Sequence, residues 1–408
     1  MQHLEVSQLF AMLAIMLGVA KIGGALARRV GQPAVLGELI AGVVVGQSGL
    51  NLVSANDETI QMLSELGVLI LLLAIGLETN LPKLLRVGAT STAVAVVGIV
   101  LPFGLGYATC HLLGLSHLVA IMAAASLTAT SVGITARVLS DLGRLHNVEG
   151  QIILGAAVLD DILGLVILTV VTDLARGHDV TVVHIASTTA IAFGFMLAVL
   201  LVGRFLNPWF WRAMNMIDLP GTPTIMALIL ALLFAWLADK ADSALILGAF
   251  AAGLLLSASP RAEEIEHGIT ALGHFFVPLF FVGVGASVDL RTLSPLDPDG
   301  RWALLIGALL IVVGVIGKLL AGYAPFWFKG SKAVIGVGMI PRGEVGLIFA
   351  KKGLESGVFS EGLFTGVTLM VMVTTLMAPP LLKHLLTARP GKRPAKPAEG
   401  IDELVMNS

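Results

Sequence analysis

Apolar residues in this chain run in continuous blocks, not in alternation with polar ones. Thirteen stretches are long enough to cross or nearly cross a bilayer as helix, which rises about 1.5 Å per residue. They cover roughly 6–28, 33–50, 58–79, 85–111, 116–140, 148–174, 181–206, 222–239, 243–258, 262–287, 301–325, 330–352 and 360–386. A membrane barrel would need alternating segments of about ten residues, and the blocks do not alternate. The expectation is an all-α polytopic membrane protein with thirteen transmembrane helices. The connections are short and carry turn signals, among them Asn56-Asp57, Asp218-Leu219-Pro220-Gly221 and Asp297-Pro298-Asp299-Gly300. Residues 387–408, rich in Pro and Lys, read as a disordered tail.

Composition sharpens the class. Hydrophobic residues make up 56% of the 408 and charged residues 13%, with a mean hydropathy of +0.93. An ordinary soluble domain carries about 25% charged residues. These values exclude a soluble enzyme, a disordered protein and a nucleic-acid binder. Cys110 is the single cysteine, so neither an intrachain disulfide nor a cysteine metal cluster can form. The 46 glycines suit close helix packing in lipid.

Residues 1–5 hold Glu5 and no Lys or Arg, so the first stretch reads as a retained helix rather than a signal peptide. Of the 25 Lys and Arg residues, sixteen fall on the side of the C-terminus, six on the other side and three within the stretches. That bias puts the C-terminus in the cytoplasm and, with an odd helix count, the N-terminus outside.

Five ionisable residues sit where a bilayer disfavours them, at about 2.5–3.5 kcal/mol per charge near mid-membrane. Asp160 and Asp161 lie mid-way along the sixth stretch, Lys318 in the eleventh, and Arg342 and Glu344 mid-way along the twelfth. Adjacent helical carboxylates point about 100° apart, so they cannot both face one neighbour. One can pair with a cation on another helix, with Lys318 the natural candidate, while the other lines a cavity. Such a cluster titrates as a group. A buried ion pair that only fixes packing would explain one Asp and the Lys, and would leave the second Asp over.

Two stretches cannot be regular helices throughout. The twelfth contains Pro341 among Gly336, Gly338, Gly343 and Gly346. The fifth carries Ser126, Thr128, Thr130, Ser131 and Thr135 around Gly133. Those hydroxyls can satisfy freed backbone groups or offer oxygens to a hard cation. The two breaks are seven stretches apart. Taking the seventh as a linker sets them at equal positions in two halves of opposite orientation, the pattern of an inverted-repeat secondary transporter. Arg342 and Glu344 are placed to neutralise the exposed half-helix ends.

These residues together carry a resemblance. Gly31-Gln32-Pro33 through Gly37-Glu38 with Gly42 and Gly46, Thr128 through Leu139, Asp160-Asp161, Lys318 and Pro341-Arg342-Gly343-Glu344 resemble the monovalent cation:proton antiporter-2 family, in particular NapA-type sodium/proton antiporters. The match spans about residues 8–386. It implies dimerisation helices over about 6–79 and 181–287, and core transport helices over about 85–174 and 301–386 with two crossed, broken helices. It implies a homodimer in the cell membrane and an elevator-like movement of the core. Asp161 matches the cation- and proton-binding carboxylate, and Asp160 the partner of Lys318. Thr128, Thr130 and Ser131 fall at the unwound segment. The transported ions are expected to be Na+ or Li+ and H+, with no cofactor and no catalytic residue.

Rival classes fit less well. An intramembrane aspartyl protease needs two carboxylates facing across one water, whereas Asp160 and Asp161 diverge. A K+/H+ antiporter of the same family and a sodium-coupled organic-solute symporter remain open. A channel lacks any repeated carbonyl filter. Glu38, Glu65 and Glu78 could shape a cavity entrance. His111, His117, His146 and His267 read as interfacial residues at helix ends.

Overall fold

The computed structural model describes residues 6–54, 57–79, 81–175, 219–240, 245–287 and 298–387, with scattered single positions between 183 and 216. Every element among them is helical: α1 (Val6–Arg29), α2 (Ala34–Val45), α3 (Glu58–Glu78), α4 (Leu81–Arg86), α5 (Gly88–Leu112), α6 (His117–Ser126), α7 (Val132–Asp141), α8 (Val148–Ala175), α9 (Thr222–Lys240), α10 (Leu245–Leu256), α11 (Ala262–Ala286), α12 (Pro298–Ala321), α13 (Lys332–Gly338), α14 (Glu344–Glu355) and α15 (Glu361–Thr387). Each expected stretch except the seventh contains helix. The seventh, 181–206, lies outside the described residues apart from single positions, as does the expected tail beyond Thr387.

Among the described residues, eight helices are long and apolar enough to cross a membrane; α2, α6 and the apolar part of α10 are shorter. Much of the apolar surface is turned outward. Phe10, Ile22 and Leu26 on α1 and Ile225, Ile229 and Trp236 on α9 are exposed, as suits side chains facing lipid. The chain is a multi-pass membrane protein.

Local chemistry sets several boundaries. Of the Asn56-Asp57 turn signal, Asn56 lies outside the described residues and Asp57 caps α3, its Oδ1 accepting from Thr59 N at 3.0 Å and Ile60 N at 3.2 Å. The fourth stretch, expected as one helix from 85, is preceded by the short α4, with Pro82 in its first turn where a missing N–H costs nothing.

The helices pack in two groups. In the first, α3 lies against α10 and α11, α1 against α2, and α9 against α10. In the second, α12 lies against α5 and α15, and α5 also against α6 and α8. Glycines permit the closest approaches: a Cβ on Gly76 would lie 2.4 Å from Phe250 O, and one on Gly336 would lie 2.6 Å from Leu319 O. The groups meet along a thin seam where α7 touches α2 and α3, and α15 touches α2.

Candidate functional site

Two helix interruptions build the site. The chain leaves helix between Ser126 and Val132, and again between Gly338 and Glu344. The interrupted segments bond to each other: Ser131 N donates to Pro341 O at 2.8 Å, Thr130 Oγ1 to Met339 O at 3.3 Å and Thr135 Oγ1 to Gly338 O at 2.7 Å. Gly343 lets them approach, since a Cβ there would lie 2.5 Å from Ser131 Oγ and 2.7 Å from Ser131 Cβ.

A helix that stops inside the bundle leaves carbonyls without partners, and buried carbonyls need donors. Here side chains supply them. Ser126 Oγ and Thr128 Oγ1 turn back to Ala123 O and Ala125 O at 2.6 and 2.7 Å. Lys318 Nζ donates to Thr128 O at 2.7 Å, Arg342 Nη1 to Ala129 O, and Thr375 Oγ1 to Arg342 O. Both cations therefore sit at the C-terminal end of α6, where the helix dipole favours positive charge.

The carboxylates come from α8. Asp160 Oδ2 lies 2.9 Å from Lys318 Nζ, and both side chains are wholly buried. Asp160 Oδ1 is buried with no hydrogen-bond partner among the described residues. Asp161 is 6% exposed and acts electrostatically on Lys318. Arg342 is wholly buried too and lies within the field of Asp160. Two carboxylates and two cations thus share one buried region, in which neither sign predominates. Gly98 on α5 leaves room for the ammonium: a Cβ there would stand 3.4 Å from Lys318 Nζ.

The expected hydroxyls divide. Those of Thr128 and Thr130 serve carbonyls, whereas Ser131 Oγ is buried with no partner among the described residues. Glu344 is the first residue of α14; its side chain lies outside the described residues. Glu38 is buried, Glu65 is exposed, and Glu78 lines a cavity of about 100 Å³ with Arg137, Ser140, Thr270 and His274, between α3, α7 and α11. His111, His117, His146 and His267 are exposed. Among the described residues no group of three or more His, Cys, Asp or Glu side chains is arranged to hold a metal.

Sequence reasoning missed Thr375, Gly98 and Arg137. Thr374-Thr375 is an adjacent polar pair in the middle of α15. Gly98 carried no signal, being one glycine among many.

Comparison with known proteins bears on this arrangement. The family model described as "Sodium/hydrogen exchanger, transmembrane" matches residues 15–388. The chain belongs to the sodium/hydrogen exchanger family. It is 40% identical to the high-affinity Na(+)/H(+) antiporter NhaS3 of Synechocystis, over 94% of this chain and 91% of that protein. It is 34% identical to the Na(+)/H(+)-K(+) antiporter GerN of Bacillus cereus, over 94% of this chain and 97% of that one. The fold of this family member is similar to that of the sodium proton antiporter MjNhaP1 from Methanocaldococcus jannaschii, with TM-score 0.68 and 17% identity, covering 94% of this chain and 98% of that one. These relatives are antiporters, the class that the resemblance implied.

Proposed function

We propose that the protein is an electrogenic secondary antiporter that exchanges Na+ or Li+ for H+ across the cell membrane by alternating access. The observation that carries this reading is the buried Asp160–Lys318 pair next to Asp161, at the junction of two helix interruptions. Asp161 takes either a proton or a dehydrated cation, never both. Carboxylate and hydroxyl oxygens suit a hard monovalent ion. Either occupant lowers the charge that must cross the low-dielectric barrier, whereas the empty site crosses poorly. Competition for one site then gives exchange without leak. Lys318 holds Asp160 until the cation arrives and releases a proton at that point. The names of NhaS3 and GerN support Na+ and H+ as the exchanged ions.

In the same reading, α1–α3 and α9–α11 form the dimerisation scaffold of a homodimer and α5–α8 with α12–α15 the moving core. The two interrupted helices cross in that core. The N-terminus lies outside, the C-terminus in the cytoplasm, and the tail is disordered. No cofactor takes part.

The test is dissipation of a pH gradient in everted vesicles lacking host antiporters, on adding sodium, lithium, potassium or choline. Sodium or lithium should collapse the gradient, and Asp161→Asn should abolish the response. Sodium-driven proton flux retained in Asp161→Asn would overturn the assignment. A response to potassium alone would favour the K+/H+ reading, which the double name of GerN supports. No response to any cation would favour the symporter.

A further inference from the structure

Arg137 lies on α7, beyond the first interruption and on the seam between the two helix groups. Its Nε stands 3.3 Å from Asp141 Oδ1, one turn along the same helix. That contact is not a hydrogen bond. Nε is buried and has no hydrogen-bond partner among the described residues. Across the seam, α2 carries Glu38, 6% exposed, whose Oε2 is likewise buried and without a partner among the described residues. Of the charges acting on Glu38, Arg137 is the strongest; Asp141 follows with the same sign as Glu38, then Lys21 and Arg28 from α1. A donor and an acceptor of opposite charge, each buried without a hydrogen bond among the described residues, thus lie on two helices that touch across the seam. Leaving either unmade is costly, and joining them gives a charge-assisted bond.

We propose that Arg137 is a positioning residue that trades Asp141 for Glu38 when the core slides against the scaffold, so that an Arg137–Glu38 bond holds the opposite orientation of the cycle. The inference rests on the alternating-access reading above. The geometry favours a swap over a fixed triad, because Asp141 travels with Arg137 on α7 whereas Glu38 stays with α2. The lever is direct: α7 starts at the interruption where Ser131 meets Pro341, so a shift at Arg137 is transmitted along one short helix to the buried charges. Glu78 on α3 lines the same cavity as Arg137 and also lies within its field, so the guanidinium has a second scaffold carboxylate nearby.

The experiment uses the full chain with Cys110→Ala, which removes the single native thiol. Glu38→Cys and Arg137→Cys are combined, and disulfide formation under mild oxidation is read by peptide mass, with and without a sodium gradient. Cross-linking should rise at least about fivefold when turnover is driven, and should stop exchange until a reductant is added. No cross-link in either condition, or equal yield in both, would overturn the proposal. Charge reversal gives an independent reading. Glu38→Arg or Arg137→Glu alone should lower the maximal rate at least about fivefold, and the double reversal should recover most of it, in the range of coupling seen for contacting charges. A double variant that folds yet does no better than either single would also overturn it. Wild-type vesicles that respond to no cation would sink the exchange reading itself; an exchanging protein without the cross-link sinks only the pair.

Discussion

Lys318 Nζ reaches both Asp160 Oδ2 at 2.9 Å and the backbone oxygen of Thr128 at 2.7 Å, so one ammonium ties α12 to α8 and to the end of α6. Removing one partner of a buried pair leaves an uncompensated charge and costs about 3–5 kcal/mol. Lys318→Met should therefore lower the melting temperature in detergent markedly. Lys318→Met with Asp160→Asn should recover most of the loss. A double variant as unstable as the single would contradict this account.

Lys318 also bears on the charge moved. If its proton leaves as the cation binds, Lys318→Gln should change the charge carried per cycle rather than stop exchange. Current across a supported membrane on a sodium jump, compared with proton flux, would reveal it. An unchanged ratio would exclude the lysine from the stoichiometry.

The contact between the interruptions gives a steric prediction. Gly343→Ala places a Cβ 2.5 Å from Ser131 Oγ and 2.7 Å from its Cβ, and should depress exchange strongly. Ser131→Ala cannot relieve it, because Cβ remains; Ser131→Gly in the same chain should. Rescue by Ser131→Ala as effective as by Ser131→Gly would show that the clash is not the cause.

Among the described residues, Ser131 is the one expected hydroxyl not bonded to a carbonyl. Ser131→Ala should raise the KM for sodium several-fold while leaving the maximal rate nearly unchanged. Thr128→Ser, which keeps its hydroxyl bond to Ala125 O, should alter neither. A larger effect from Thr128→Ser would reverse the assignment.

Much of this site could be read from the chain because its chemistry is incompatible with its surroundings. Asp160, Asp161, Lys318 and Arg342 are conspicuous in apolar sequence, and Pro341 with its glycines announces a failed helix. What could not be read is main-chain in origin. No side-chain pattern tells that Lys318 bonds Thr128 O, that Arg342 bonds Ala129 O, or that Thr375 serves Arg342 O. By hydropathy Arg137 falls at the end of the fifth stretch, on the side of the C-terminus, yet its Nε is buried at the seam. Hydropathy locates a span, but the depth of a charge near its end depends on which helices close over it. The short α4 is hidden for a related reason: a break at Val87 between two apolar segments leaves no gap in hydrophobicity.

The pairing of α8 with α12 also constrains how the molecule is made. Asp160 and Asp161 emerge from the ribosome well before Lys318 and Arg342 have been synthesised. The translocon must accept α8 with both acids and no cation to meet them, at a cost of about 2.5–3.5 kcal/mol apiece near the centre. The segment stays apolar even with both acids counted, with a mean hydropathy of 2.2. Until α12 arrives, the nascent chain holds two stranded acids. A chain interrupted between these helices is consequently a substrate for membrane quality control rather than a slower version of the finished machine.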